Sequence, residues 1–196
     1  TLIQSGQPNW RSLFPLAYDN RHTLKTGVTY AFGGNRMKYI GPQIGGVKWL
    51  KGIMLSASMQ SISGQPYTSM QRAVSEAQSI NGVVQRSQTK GNPFGSRMPW
   101  THNVDLNIQR NMQWGDKTVT IYLLVSNLLN TKLITNVYGY TGQPDDDGYL
   151  NSPHGLQASQ NQIDAETFAM LYKLRMNNPG NFGAPRMINL GAKLNF

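Results

Sequence analysis

Thr101-His102-Asn103-Val104-Asp105-Leu106-Asn107-Ile108-Gln109-Arg110-Asn111-Met112-Gln113 opens with a strict alternation of apolar and polar side chains. In an extended chain successive side chains point to opposite faces. Val104, Leu106 and Ile108 then share one face, and Asp105, Asn107 and Gln109 the other. A helix would scatter both sets around its circumference. A slip of one residue would carry Asp105 onto the apolar face, so the segment specifies its own pairing register.

The same period recurs on both sides of this segment. Over 20–33, Leu24, Val28, Tyr30 and Phe32 oppose Arg21, Thr23, Lys25, Gly27 and Thr29. Over 51–63, Ile53, Leu55, Ala57 and Met59 oppose Ser56, Ser58 and Gln60. Over 117–129, Val119, Ile121, Leu123 and Val125 oppose Thr118, Thr120, Tyr122, Leu124 and Ser126, a face only partly polar. The chain ends with Ile188, Leu190, Ala192, Leu194 and Phe196 against Asn189, Gly191, Lys193 and Asn195. Soluble sandwiches alternate too, but their strands average ~5–6 residues. Segments of about 11–14 residues instead meet the ~9–11 needed to cross a bilayer at a tilt. The expected fold is all-β: an antiparallel transmembrane barrel segment with apolar rows toward lipid and intervening rows toward the lumen.

The connections point the same way. Trp114-Gly115-Asp116-Lys117 makes a tight turn, and a Gly-rich link with Gly33, Gly34, Gly41, Gly45 and Gly46 joins the first two segments. The other two connections run about 37 and about 55 residues, the short-turn, long-loop asymmetry of outer-membrane barrels. Trp114, Tyr30, Phe32 and Trp49 gather toward the short connections and Trp100 toward the long ones, where interfacial aromatics belong. One loop helix is expected over 164–177, capped by Asp164, with an apolar stripe of Phe168, Leu171, Tyr172 and Leu174. Asn177-Asn178-Pro179-Gly180 ends it.

Composition narrows the chemistry. The 196 residues contain no cysteine, which excludes disulfides, thiolate metal sites and a cysteine nucleophile. Charged residues make up 14% and the formal charge is +9, yet Lys and Arg occur singly, without the clustered footprint that nucleic acid requires. His22, His102 and His154 belong to no metal-binding motif, although His22 and His102 both fall near the long-loop rim. Asp145, Asp146 and Asp147 precede Gly148 and offer carboxylates either to a Ca²⁺ ion or to a solvated turn; the spacing is not that of an EF-hand. No serine sits in a nucleophile elbow, and no glycine run forms a phosphate loop. The expectation is a non-enzyme without a cofactor.

Five stretches carry a family resemblance: Leu16-Ala17-Tyr18-Asp19-Asn20-Arg21-His22-Thr23-Leu24, Ser63-Gly64-Gln65-Pro66-Tyr67-Thr68, Val125-Ser126-Asn127-Leu128-Leu129-Asn130-Thr131, Thr141-Gly142-Gln143-Pro144-Asp145-Asp146-Asp147-Gly148-Tyr149-Leu150, and Pro185-Arg186 through Phe196. In this order the chain resembles the C-terminal barrel portion of TonB-dependent receptors of the Bacteroidota type. The resemblance implies about the last five strands of a 22-stranded barrel, spanning 1–196, with plug and N-terminal strands outside this sequence. It also implies a bacterial outer-membrane location, extracellular loops and a periplasmic C-terminus. The implied partners are outer-membrane lipid, the remaining strands and plug, TonB through that plug, the barrel-assembly machinery and a surface lipoprotein.

On that reading Leu190, Ala192, Leu194 and Phe196 form the assembly signal. Leu24, Val28, Ile53, Leu55, Val104, Leu106, Ile108, Ile121, Leu123, Leu190 and Leu194 face lipid. Arg21, Lys25, Asp105, Asn107, Gln109, Asn189 and Lys193 face the lumen. The implied function is TonB-dependent uptake of a nutrient. The rival reading is a scaffold barrel of an assembly or secretion complex without transport; a soluble β-rich binding protein or enzyme is the third class.

Overall fold

The computed structural model describes residues 13–34, 38–75, 87–115 and 117–195. Asp116 of the expected tight turn and Phe196 of the expected assembly signal lie outside the described residues. In chain order the strands are β1 (Thr23–Ala31), β2 (Ile53–Ile62), β3 (Pro66–Tyr67), β4 (Ser96–Arg97), β5 (Thr101–Trp114), β6 (Lys117–Ser126) and β7 (Met187–Asn195). Helices α1 (Pro153–Gln160) and α2 (Ala165–Met176) and a 3-10 turn over Pro179–Asn181 lie between β6 and β7. The architecture is mostly antiparallel sheet with few helices.

Five strands form one antiparallel sheet in the order β1-β2-β5-β6-β7, and β3 pairs with β4 separately. Directly opposed residues share a side of a sheet, so the register can be read across it. Tyr30, Leu55, Ile108, Leu123 and Leu190 form one row. Val28, Ala57, Leu106, Val125 and Ile188 form the next, and Ile53, Arg110, Ile121 and Ala192 a third. Val104 opposes Met59, Leu24 opposes Ser61 and Leu194 opposes Val119, all on the same side. Most apolar positions of the five strands therefore fall on one side of the sheet, while Met54, Ile62, Tyr122, Leu124 and Met187 stand on the other.

This side is widely exposed. Leu24, Val28, Ile188 and Leu190 are 59%, 65%, 64% and 76% exposed, whereas Val125 near the sheet's long-connection end is 6% exposed. β1 and β7 each pair along one edge only among the described residues.

The chain divides into two compact units. The first comprises Thr1–Arg21, Ser63–Pro99 and Ile134–Phe182, drawn from the two long connections and the N-terminal stretch. The second comprises His22–Ile62, Trp100–Leu133 and Gly183–Phe196 and holds the five-stranded sheet. Within the first unit Tyr149, Tyr172 and Met176 are buried, with Tyr138, Leu150, Ala158 and Phe168 packed against them. There too, Gly64 stands where a Cβ would lie 1.6 Å from the backbone oxygen of Met98. Only glycine permits that approach, which lets Met98 N–H reach the carbonyl of Gln65 at 3.0 Å.

Three expectations need correction. Arg21 stands in a bend ahead of β1, because pairing begins with Thr23 against Ile62. The last connection holds two helices. Ser152 caps α1, its hydroxyl accepting from Gly155 N–H at 3.1 Å, but Pro153, Gly155 and few apolar residues leave no stripe to read. In α2, capped by Asp164 as expected, the buried residues are Tyr172 and Met176, one turn apart, while Leu171 and Leu174 are exposed. The helix is oriented by ring packing and a hydrogen bond at Tyr172, which outweigh its leucines.

Candidate functional site

The polar side of the sheet centres on β5. Asp105 opposes Ser58 on β2; Asn107 opposes Ser56 and Leu124; Gln109 opposes Met54 and Tyr122. Lys25 on β1 is in register with Gln60 and, across it, Asn103. Asn189 and Lys193 on β7 oppose Leu124 and Thr120. The structure thus brings Asp105, Asn107 and Gln109 into one column. It sets the lysines on the flanking edge strands and leaves Arg21 outside the sheet.

Hydrogen bonding divides these residues by role. Asn103 Nδ2 donates to both Asp105 carboxylate oxygens, at 3.1 and 3.2 Å. The same carboxylate accepts the backbone N–H of Asn127 at 2.9 Å. Asp105 is therefore committed to hydrogen bonds with its neighbours. Asn103 Oδ1 and Asn107 Oδ1 are buried and have no hydrogen-bond partner among the described residues. Buried acceptors ordinarily find donors, so this column is suited to receive N–H or O–H groups from water or another polypeptide segment. It contains no paired nucleophile and base.

Asn127 is the residue that sequence reasoning missed. It is 2% exposed and takes φ 52°, a left-handed conformation. Its Nδ2 donates to the carbonyls of Thr131 and Ala184 at 2.9 and 3.3 Å, and its Oδ1 accepts Thr131 N–H at 2.9 Å. Leu128 N–H donates to Val104 O at 2.7 Å, and Arg186 N–H to Asn130 Oδ1 at 3.1 Å. The Ser126-Asn127-Leu128-Leu129-Asn130 stretch therefore ends β6, ties it to β5 and aims the chain into β7. Two asparagines three apart are the signal available in sequence, since asparagine tolerates this backbone better than most residues.

At the same end of the sheet, Trp100 lies between two imidazoles. His22 stacks on it at 6.1 Å between ring centroids and His102 at 6.3 Å. His102 Nδ1 also lies 2.9 Å from Ser61 Oγ. The two histidines expected near one rim do come together, through the indole. Among the described residues no group of three or more His, Asp or Glu side chains is placed to hold a metal.

The three aspartates separate. Asp147 is 3% exposed; its Oδ2 accepts the Tyr172 hydroxyl at 2.5 Å and its Oδ1 accepts Tyr149 N–H at 2.9 Å. Asp146 Oδ1 accepts Gly148 N–H at 2.8 Å, and Thr141 donates to the Asp146 carbonyl. Neither a Ca²⁺ cluster nor a wholly solvated turn describes this stretch: one aspartate anchors α2, another closes the turn. Burial, reinforced by the Asp147 carboxylate, raises the Tyr172 pKa well above the ordinary phenol range.

A cleft of about 810 Å³ opens toward the short-turn end of the sheet, bordered by Lys48, Lys51, Asn111, Gln113 and Thr118. Sequence spacing does not reveal it, since it needs the β1–β2 link folded beside β5: Asn111 N–H donates to Gly52 O at 2.9 Å. Compared with known protein families, curated proteins and solved structures, the chain matches none.

Proposed function

We propose that this chain is part of the C-terminal wall of a bacterial outer-membrane β-barrel of the TonB-dependent receptor type, serving nutrient uptake. The observation that carries this reading is the apolar side of the five-stranded sheet, continuous in register and widely exposed. In water such a side would drive association; in lipid it is the stable arrangement. The two half-paired edges agree with it, since strands in hydrocarbon need neighbours on both sides.

Spacing adds support. Twelve residues separate His102 from Trp114 on the apolar side. At ~3.4 Å per residue that is about 41 Å along the strand, or about 29 Å at a ~45° tilt. This is close to the ~30 Å of a hydrocarbon core, with aromatics at each limit. The orphaned acceptors of Asn103 and Asn107 suit a lumen wall that meets plug or water. Uptake would use the long connections as extracellular loops and TonB, acting through the plug, as energy source.

Membrane fractionation tests the reading. The protein is expected to stay with outer membranes through high salt and alkaline carbonate and to leave only with detergent. Release by salt alone overturns it.

A further inference from the structure

The apolar side of the sheet is not uniform along its length. Two cations stand on it among the described strand residues, Arg110 on β5 and Lys117 on β6, and no acid does. Both lie toward the short-turn end. Arg110 shares a row with Ile53 and Ile121, and Lys117 opposes Trp114. Trp114 is 80% exposed. At this end a groove of about 630 Å³ runs between β6 and β7, walled by Trp114, Lys117, Val119, Ala192, Lys193 and Leu194. Ala192 makes the dip, since its neighbours along β7 on that side are Leu190 and Leu194 and its partner is Ile121.

We propose that this end of the apolar side holds an anionic phospholipid. One acyl chain lies in the groove over Ala192, and the phosphate is met by Lys117 and Arg110. The argument is chemical complementarity. An apolar groove bordered by an indole and Lys117, with Arg110 in the row of Ala192 and no acid among the described strand residues of that side, matches a ligand that is oily along its length and anionic at one end. Long cationic side chains reach from apolar surface toward a phosphate layer, and guanidinium pairs well with phosphate oxygens. At the opposite end of the same side the described strand residues are Leu24, Ser61 and His102, with neither lysine nor arginine among them.

The proposal rests on the membrane reading, and the experiment separates the two. The intact protein is reconstituted in phosphatidylcholine vesicles carrying spin-labelled phosphatidylglycerol or spin-labelled phosphatidylcholine, and the motionally restricted fraction of each is measured. Wild type should prefer phosphatidylglycerol. Each of Arg110→Gln and Lys117→Gln should lower that preference by up to about fivefold, the effect of one cation near an anionic surface. Ala192→Phe should lower it by filling the groove while both cations remain. Lys173→Gln, on α2, removes an equal charge and should leave it unchanged. Restricted lipid with no preference, or a preference indifferent to all three site variants, overturns the lipid site while the membrane reading stands. No restricted lipid of either kind in wild type overturns both.

Discussion

Asn127 concentrates more structural work than any charged residue in the sheet. Its side chain satisfies groups of Thr131 and Ala184, and its backbone N–H satisfies Asp105. Net hydrogen bonds contribute ~0.5–1.5 kcal/mol each and leave a larger penalty when buried partners are orphaned. Asn127→Ala should therefore destabilise by about 3 kcal/mol, allowing also for the left-handed backbone that alanine tolerates poorly. A denaturant midpoint unchanged from wild type would contradict this role. Tyr172 makes the corresponding contribution in the other unit. Tyr172→Phe removes the donor to buried Asp147 and should cost about 1.5–3 kcal/mol, the range for hydrogen bonds to charged groups. Because the folded phenol has a raised pKa, its contribution is complete below the unfolded value near ~10 and is lost as pH rises above it. The helical signal of wild type should lose stability in that alkaline window, and Tyr172→Phe should lack this component of the pH dependence. Equal alkaline slopes in the two proteins would refute the linkage.

Each strand makes a sharper statement than any of its residues. In β5, Leu106 and Asn107 are adjacent in sequence and point to opposite sides, toward Ala57 and Val125 in one case and Ser56 and Leu124 in the other. If the apolar side meets hydrocarbon, Leu106→Arg should cost roughly 2–4 kcal/mol in lipid, while Asn107→Arg should be tolerated. Folding titrations in vesicles that returned equal losses would remove the basis for separating the two sides. The alternation that supports this prediction is legible without coordinates, because a period of two survives any tertiary context. The helices are less legible. α1 has no apolar stripe, and α2 turns Leu171 and Leu174 outward because its aromatic face finds better partners in Tyr149 and Asp147.

If the chain is the outer-membrane barrel wall proposed above, the division between short and long connections becomes an orientation. Externally added trypsin on intact cells should cut within the connection over 134–182, which carries Lys173 and Arg175, and should spare Lys117 beside the short turn. Cutting at Lys117 with the long connection intact would invert the proposed topology.

The side on which most strand residues fall was determined by the sequence alone, because alternation is a local property and a slipped register would expose charge to the wrong environment. Arg21 escaped that logic, since where pairing starts depends on the opposing strand. Only the folded chain decided that Asp105 is held by Asn103 and Asn127, that His22 and His102 meet across Trp100, and that Asp147 leaves its neighbours to anchor a helix. These are contacts between segments distant along the chain. No local period encodes them, because hydrogen-bond and ring geometry exist only once the backbone has brought the partners together.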